Sequence, residues 1–411
     1  MSTLSPPTIR RRQADISSAL QNAALPEVLK RVYASRGITD PGQLALGLDQ
    51  LLPPASLKGV TDAAELLADA IEGEARVLIV GDFDADGATS CAMAVSVLQQ
   101  MGLREVAYLV PNRFEFGYGL TPEIVEMAAA QMPDLIVTVD NGISSVEGVS
   151  AAQALGISVL ITDHHLPGDS LPTADVIVNP NQPECQFPSK SLAGVGVMFY
   201  VLSAVRAALR ERGWFSAEGI EEPNLGDALD LVALGTVADL VPLVGENRKL
   251  LRSGLEQLAE TTRHGLVALK KIANVSKPVS VFNVGFHLGP RLNAAGRMEN
   301  PAASLNLLLS KDSYEAEKHA NQLEVYNRER QKIERDISSQ AVENIRNRFD
   351  PEKDFVIVEG NMEWHLGVIG IVASRVMREF YRPTFILASD GDGWKGSARS
   401  IEGFDLAEAM R

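Results

Sequence analysis

Short apolar runs alternate with amphipathic stretches along the first half of the chain. Four of these runs are rich in β-branched residues and have the length of strands: 76–80, 106–110, 135–139 and 157–162. Segments with helical periodicity lie between them. Continuous apolar strands of this kind are typical of βαβ units whose sheet is covered on both faces. The pattern therefore predicts an α/β fold built on a parallel sheet.

The second half of the chain is predicted to be mostly helical before another α/β pattern begins. Helices are predicted over 191–212, 225–238 and 247–260, and the charged segment 312–348 has too few apolar residues to be buried on all sides. Strands at 355–358 and 384–387 flank a helix at 369–380. We therefore predict four parts: an N-terminal extension (1–60), a large α/β domain (61–311), a connecting helix (312–349) and an incomplete, smaller α/β domain (350–411).

Acidic side chains and histidines occur where the predicted strands end. They are Asp82, Asp84 and Asp86 after the first strand, Asp140 after the third, Asp163, His164 and His165 after the fourth, and Asp239 after a predicted helix. Ligands of open α/β sheets bind at the carboxyl ends of the strands. Carboxylates at every second position repel one another strongly unless a positive group lies among them. We therefore expect these side chains to converge on bound cations.

The ligand types favour manganese or magnesium over structural zinc, because oxygen donors with one or two imidazoles suit the harder ions. The carboxylates are too many for one octahedral site, which predicts a pair of ions about 3.5–4 Å apart, as used for in-line displacement at phosphorus. A single Asp after a strand is more often a helix cap or a turn residue. Four such motifs in one segment are hard to attribute to capping, so we predict a metal-dependent phosphoesterase.

Composition and charge narrow the possible partners. The chain has 411 residues, of which 45% are hydrophobic, and a formal net charge of -15, which argues against coating nucleic acid through a broad basic surface. A narrow, locally basic groove is still compatible with this charge. We see no apolar run that could cross a bilayer and no secretory signal in 1–13, so we expect a cytoplasmic protein without membrane contact.

Several motifs resemble those of a known superfamily. The strings are Asp82-Phe83-Asp84-Ala85-Asp86-Gly87, Val137-Thr138-Val139-Asp140-Asn141-Gly142, Asp163-His164-His165 and Gly235-Thr236-Val237-Ala238-Asp239. They look like the four ordered motifs of the DHH phosphoesterase superfamily. Two further strings, Gly289–Arg297 and Trp364–Gly370, make the chain similar to the bacterial single-strand-specific 5′ to 3′ DNA exonucleases of that superfamily. The resemblance covers the chain from its N-terminal arginines to its last residue.

The resemblance implies a DHH catalytic domain followed by a DHHA1-like domain, and it implies which residues hold the two ions. One ion would be held by Asp82, Asp84 and Asp140, and the other by Asp86, Asp140, His164 and Asp239. Asp140 would bridge the two ions. His165 would face the substrate phosphate, and Asp163 would orient the histidines. The implied reaction is hydrolysis of single-stranded DNA to nucleoside 5′-monophosphates in DNA repair and recombination.

An exonuclease must recognise a strand end, and guanidinium groups are suited to bidentate phosphate contacts. By resemblance, the residues predicted to bind the substrate are Arg113, Arg291, Asn293, His365, Ser397 and Arg399. Trp364 or Tyr118 would stack on a base. The resemblance further implies single-stranded DNA as the substrate, with a single-strand-binding protein and a RecQ-type helicase as partners.

The chain departs from the exonuclease pattern in its second domain. Relatives usually continue with a Gly-Gly-His motif and an OB-type domain, and they have glycine where this chain has Ala398. Either the chain is a fragment or it is a shortened relative. We expect metal-dependent hydrolysis to survive, with weaker holding of long strands and lower processivity. Two alternatives stay open at this point: a superfamily enzyme that acts on short oligonucleotides or other small phosphate substrates, and a non-catalytic DNA-binding scaffold.

Overall fold

A parallel sheet of five strands lies at the centre of the larger domain. The computed structural model describes residues 13–298, 300–391 and 393–410, except the side chains of Arg113 and Ala407. The strands of the sheet are β1 (Val77–Gly81), β2 (Val106–Leu109), β3 (Leu135–Val139), β4 (Ser158–Thr162) and β5 (Val176–Val178). They pair in the order β2-β1-β3-β4-β5, with every pair parallel. The chain therefore reverses its direction of winding at β1 and β3, which is where α/β sheets of this order bind ligands.

Helices surround the sheet and continue beyond it. In the first half of the chain they are α1 (Ser18–Gln21), α2 (Glu27–Ala34), α3 (Val60–Glu72), α4 (Ala85–Gln100), α5 (Arg113–Phe116), α6 (Pro122–Ala129), α7 (Val146–Ala154), α8 (Gly194–Glu211) and α9 (Trp214–Glu218). The next are α10 (Leu229–Ala238), α11 (Gly245–Glu260), α12 (His264–Ile272), α13 (Val281–Asn283), α14 (Gly289–Ala295), α15 (Ala302–Leu308) and α16 (Ser313–Arg346). A π-helical turn, Val284–Leu288, joins α13 to α14.

Alternate residues of the central strands point to opposite faces of the sheet. Ile79 and Val137 face the larger core, which contains α3, α4, α8 and α10. Leu78, Ile136 and Val159 face the smaller core, which is closed by α6 and α7. Because both faces are covered, β1 and β3 are buried along their whole length, as the continuous apolar runs predicted.

The long helix α16 joins two separate hydrophobic cores. Its first part buries Ala320 and Leu323 against the larger core, and its second part buries Ile337 and Ala341 against a third core in the smaller domain. The side chains of Glu334 on α16 and Arg375 form an ion pair of 2.6 Å that also links the helix to this domain. The predicted connecting helix is thus buried at two places and exposed elsewhere.

The smaller domain has its own three-stranded sheet. Its elements are β6 (Ile357–Gly360), α17 (Ile369–Phe380), β7 (Thr384–Ser389), β8 (Trp394–Arg399) and α18 (Leu406–Ala409). Strands β6 and β7 are parallel, and β8 is antiparallel to β7. The sequence pattern missed β8 because most of its residues are exposed and few are apolar. The predicted α/β class, with a parallel sheet, a long connecting helix and a smaller second domain, is confirmed.

None of the helices in the described parts of the chain combines the length and the apolar character needed to cross a bilayer.

Candidate metal centre and phosphate cleft

The turn after β1 holds two of its aspartates by backbone hydrogen bonds. The Asp84 carboxylate accepts hydrogen bonds from the Asp86 and Gly87 N–H groups at 2.9 and 3.0 Å and so caps α4. The Asp86 carboxylate is fully buried and accepts from Gly194 N–H at 2.7 Å and Val195 N–H at 3.0 Å. These amides belong to the first turn of α8, whose dipole favours a negative charge. The α8 terminus therefore fixes Asp86 in place.

Asp140 follows β3 in an unusual backbone conformation. Its φ is 62°, in the left-handed region that few non-glycine residues occupy. The next residue, Asn141, is buried and donates from Nδ2 to the carbonyls of Val80 at 3.1 Å and Val139 at 3.0 Å. Asn141 therefore ties the ends of β1 and β3 together, which brings Asp140 next to the turn after β1.

The turn after β4 is organised by Asp163. One carboxylate oxygen, Oδ1, accepts hydrogen bonds from the N–H groups of His164 at 2.7 Å and His165 at 3.1 Å and contacts His165 Nδ1 at 2.7 Å. The other oxygen accepts from Ile143 N–H at 2.9 Å. Asp163 is buried, and its bonds hold both imidazoles over the end of the sheet.

The predicted ligands come together in three overlapping groups. Within each group, the donor atoms lie within 4.8 Å of one another. The groups are Asp82 with Asp84 and Asp140, Asp86 with His164 and Asp239, and Asp140 with His164 and His165. Asp239 reaches the centre from the C-terminal end of α10. Asp140 occurs in two of the groups, and its Oδ1 lies 3.1 Å from His164 Nε2. The structure therefore collects side chains from four separate stretches at one sheet edge.

The donor atoms fit a bound cation. Asp140 Oδ1 and His164 Nε2 are buried and lie 3.1 Å apart without the geometry of a hydrogen bond, and within the described residues neither atom has another hydrogen-bond partner. Burial followed by the charge of Asp84 raises the pKa of both Asp82 and Asp239 to about 7, and burial raises the pKa of Asp86 and Asp140 well above the usual range. Ionised carboxylates in this position require a positive partner, which a divalent metal ion supplies.

The two histidines differ in protonation at neutral pH. Burial, followed by the nearby His165, lowers the pKa of His164, so its imidazole is neutral and can offer a lone pair. The hydrogen bond with Asp163 raises the pKa of His165 to about 9, so that imidazole carries a proton. Burial acts to raise the pKa of Asp163, but the bonds from His165 and Ile143 outweigh it and lower the value.

Two glycines allow the helices to approach the carboxylates. A Cβ on Gly194 of α8 would lie 2.5 Å from Asp140 Oδ1, and a Cβ on Gly235 of α10 would lie 2.6 Å from Asp86 Oδ1. Neither distance is possible for a real side chain. Glycine at these two positions is therefore a condition for the packing of α8 and α10 around the centre.

Two asparagines that sequence reasoning did not identify hold the backbone of the histidines. Asn179 Nδ2 donates to His165 O at 3.0 Å, and Asn181 Nδ2 donates to His164 O at 2.6 Å. The Asn179 side chain also accepts from Asn181 N–H at 2.7 Å. Both residues follow β5, the short strand that the pattern missed. The repeated Asn after a valine-rich run was the available signal.

A cleft of about 280 Å³ lies between the two domains. The cleft is lined by Ser397 and Arg399, which were predicted to contact phosphate, and by Lys395. The three residues occupy every second position of β8 and so lie on the same face of the strand. Arg297 lines it from the larger domain and donates to Gly367 O at 2.9 Å. Arg399 is held by Ser374 Oγ and Ser397 Oγ, each at 3.1 Å. Sequence reasoning missed Lys395 and Arg297, the former because β8 itself was not predicted.

Two residues with predicted roles lie outside the described lining of the cleft. Arg291 forms an ion pair from its Nε to Glu324 on α16 at 2.8 Å, and its Nη1 donates to His287 O at 2.6 Å. Arg291 therefore joins α14 to α16, and its contact with phosphate stays a prediction. Trp364 is only 4% exposed and donates from Nε1 to Gln340 at 3.1 Å, so it is not available to stack on a base.

The remaining predicted substrate residues lie around the cleft or outside the description. Asn293 accepts from Ala85 N–H at 2.8 Å and lines a small cavity with Asp84 and Arg297. His365 accepts from Gly367 N–H at 3.0 Å and lies edge-on to Phe114. The Arg113 side chain falls outside the described residues. For these positions a substrate role stays a prediction.

Comparison with known proteins confirms the resemblance that the motifs indicated. The model of the DHH family, N-terminal domain, matches residues 76–236, and the DHHA1 domain model matches residues 353–411. The single-stranded-DNA-specific exonuclease RecJ of Escherichia coli (strain K12) is 47% identical over 408 residues, which span 98% of this chain and 70% of that protein.

Solved structures of exonuclease RecJ share the fold. One, bound to manganese, has a TM-score of 0.74 and 34% identity, with 88% of this chain and 86% of that chain covered. RecJ from Thermus thermophilus in complex with Mn²⁺ has a TM-score of 0.78 and 32% identity, covering 96% of this chain and 54% of that chain. Its complex with Mg²⁺ has a TM-score of 0.71. The solved relatives thus contain the ions that the ligand types favoured.

Replacing Asn181 with alanine is expected to weaken metal binding. The variant loses the hydrogen bond to His164 O, and loss of such outer contacts typically costs about 10-fold or more in metal affinity. Isothermal titration with Mn²⁺ measures the change. Asn321→Ala is the matched control, because Asn321 is exposed on α16 and, among the described residues, its side chain donates to Glu317 O of the same helix. Equal affinity of the two variants would contradict the proposed support of His164.

Metal removal is expected to destabilise the protein more at high pH than at low pH. In the folded protein the pKa of Asp82 and of Asp239 is about 7, above the value of an ordinary aspartate. The stability that these groups contribute is therefore fully present at a pH below the ordinary aspartate pKa, and it is lost as pH rises through about 7. The raised pKa of His165 acts in the same direction. Bound Mn²⁺ replaces the protons and adds about 2.7 kcal/mol at a concentration 100-fold above its Kd.

Thermal unfolding with Mn²⁺ and with EDTA, at about one pH unit below and above neutrality, measures this effect. At equal Mn²⁺ concentration, the increase in Tm should be larger at the higher pH because fewer protons compete for the carboxylates. An increase that is the same at both pH values would show that the carboxylates do not bind the ion.

Proposed function

The chain belongs to the RecJ family of single-stranded-DNA-specific exonucleases, and we propose that it hydrolyses single-stranded DNA from the 5′ end to nucleoside 5′-monophosphates with two Mn²⁺ or Mg²⁺ ions. The observation that carries this proposal is the overlap of the acid and histidine groups at Asp140, together with a cationic cleft between the domains that Arg297 connects to Asp84. Family membership also supports a role in DNA repair and recombination.

Each part of the centre has a separate task in the proposed reaction. Asp82, Asp84 and Asp140 would hold one ion, and Asp86, Asp140, His164 and Asp239 would hold the other. When bound, the ions activate a water molecule and neutralise charge on the scissile phosphate. The protonated His165 is oriented by Asp163 and faces the negative charge that develops on the phosphate.

The interdomain cleft would bind the terminal 5′ phosphate. Arg297, Lys395 and Arg399 supply positive charge, and Ser397 supplies a hydroxyl. Arg399 is oriented by Ser374 and Ser397 before any ligand arrives, which reduces the entropy lost on binding. Charged groups that are held in position in this way favour a phosphorylated end over the interior of a strand. The cleft therefore gives a physical reason for exonucleolytic action.

Two other functions were left open by the sequence. A small-substrate phosphodiesterase would share the metal centre but would not need a separate phosphate cleft, so a length series of 5′-phosphorylated strands from dinucleotides upward distinguishes it. A non-catalytic scaffold would not need the paired ligand groups, and it predicts no Mn²⁺-dependent release of nucleotides from the pure protein. Identity over nearly the whole chain to single-strand exonucleases favours the proposed function.

The partners follow from the substrate. An enzyme specific for single strands depends on strand separation, so we propose that a RecQ-type helicase supplies its substrate and that a single-strand-binding protein keeps it accessible. A DNA substrate also supports a cytoplasmic location. Co-purification of either partner with the intact protein, and its loss at moderate salt, would measure the association.

Substitution of Asp140 by alanine is expected to abolish nucleotide release. The change removes the residue shared by two ligand groups, and activity should fall by a factor of about 100–1,000. Release from end-labelled single-stranded DNA with Mn²⁺ measures this. Asp134→Ala is the control, because Asp134 lies at the opposite end of β3 and pairs with Arg76. Full turnover by the Asp140 variant would refute its bridging role.

Substitution of Arg399 by alanine is expected to remove the preference for a phosphorylated end. Loss of a charge-assisted hydrogen bond costs about 1.5–3 kcal/mol, which corresponds to a rise in KM of about 10-fold or more on 5′-phosphorylated strands. Strands with a 5′ hydroxyl should be cut as by the parent protein. Arg335→Ala, which changes an exposed arginine of α16 outside the cleft, should alter neither substrate. An equal effect of Arg399→Ala on both substrates would argue for a purely structural role.

A further inference from the structure

A second and larger cavity, of about 610 Å³, adjoins the metal centre. It reaches the centre through Asp82, Asp140 and His165, whereas the phosphate cleft approaches it through Arg297, which also lines the small cavity beside Asp84. Its volume lies within the range of about 300–1,000 Å³ that is usual for small-molecule sites. The cavity and the cleft therefore reach the same reacting centre from different directions.

The charges of the cavity and the cleft are opposite. Among the described residues that line the cleft, Arg297, Lys395 and Arg399 are basic and none is acidic. The described lining of the cavity contains Glu123 and Glu147 in addition to the aspartates of the centre, and His165 is its only basic residue. When bound ions neutralise the aspartates of the centre, Glu123 and Glu147 still repel a phosphate group from the wall formed by α6 and α7, whereas the cleft attracts one. That wall is thus suited to an uncharged part of the substrate.

The apolar part of the cavity wall is suited to a flat ring. Tyr118, Leu120, Pro122, Ile143 and Val146 line it. Tyr118 is 70% exposed, also lines the cleft, and packs edge-on against Phe83 with ring centroids 5.4 Å apart. A tyrosine ring held in this way offers a face on which a base can stack without regard to sequence.

The wall is formed before any ligand binds. Ser145 Oγ accepts a hydrogen bond from Leu120 N–H at 2.9 Å, which joins the loop before α6 to the loop before α7. Gly148 packs so closely on the Leu120 carbonyl that any side chain there would overlap it. These two contacts hold the cavity open between α6 and α7, so little ordering is needed on binding.

We propose that this cavity is a nucleobase subsite that receives a base adjoining the scissile phosphate. The inference rests on the proposed exonuclease function and adds the recognition of the base to it. The sugar-phosphate backbone follows the cationic side, and the base enters the cavity, stacks on Tyr118 and directs its amino and imino groups toward Glu123, Glu147 and Ser144. Acceptors of this kind serve any base that carries an exocyclic amino group.

The test combines a variant whose side chain fills the cavity with DNA substrates that lack one base. Ser144→Trp places a bulky ring in the cavity from an exposed position, and Ser150→Trp, on the exposed side of α7 outside the cavity, is the matched control. The substrates are 5′-phosphorylated single strands with an abasic site at the first, second or sixth nucleotide, or at none. Rates are measured with Mn²⁺ as kcat/KM.

The parent protein and Ser150→Trp should lose about 10-fold in kcat/KM when the first or the second nucleotide is abasic and should be unaffected by the sixth. On the normal strand, the kcat/KM of Ser144→Trp should be lower than that of the parent protein by a similar factor. On the abasic strand that slows the parent protein, the two proteins should have the same kcat/KM. Two results would overturn the subsite. One is that Ser144→Trp loses the same factor relative to the parent protein on the normal strand and on the abasic strand. The other is that the parent protein is insensitive to an abasic site at both the first and the second nucleotide.

Equilibrium binding to the Mn²⁺-loaded protein, with the same strands carrying non-hydrolysable linkages between their first nucleotides, gives the same comparison without turnover. The subsite can therefore be judged separately from catalysis. Weaker binding of the adjoining abasic strand, abolished by Ser144→Trp, supports the subsite even if no nucleotide is released. Absence of nucleotide release from the unmodified strand would contradict the proposed function instead.

Discussion

The repulsion among buried carboxylates at the carboxyl edge of the central sheet is the constraint that the rest of the larger domain must satisfy. Asp86 and Asp140 are almost completely buried, and burial with neighbouring negative charge raises the pKa of both. Unfilled, such a cluster costs stability because protons must neutralise it. Divalent cations remove that cost and use the same oxygens for chemistry. Metal binding therefore relieves the electrostatic repulsion that the fold creates among these carboxylates.

The architecture brings this cluster together through few interactions. The strand order places the ends of β1 and β3 side by side, and Asn141 bonds to the carbonyls of both. The first turn of α8 donates two N–H groups to Asp86. Asn179 and Asn181 then hold the backbone of the two histidines from β5. These hydrogen bonds fix the backbone that carries the donor side chains.

The two domains contribute different kinds of side chain to the centre and the cleft. The larger domain contributes the acids and histidines, and the smaller domain contributes Lys395, Ser397 and Arg399 from a single face of β8. The long helix α16 is packed into both domains, so it sets the distance between the cleft and the centre. Opposite charges in the cleft and in the neighbouring cavity would then orient a strand, with phosphate on one side and base on the other.

The sequence by itself determined the α/β class and the convergence of the acids, because strand periodicity is local and the ends of parallel strands always meet at one edge. Asp84, Asp140 and His164 could be found in this way. Only the tertiary structure decided which positively charged side chains line the cleft. Arg291 pairs with Glu324 and Trp364 is buried, whereas Arg297 lines the cleft. The direction of a long side chain depends on packing between distant elements, which periodicity and motif spacing do not specify.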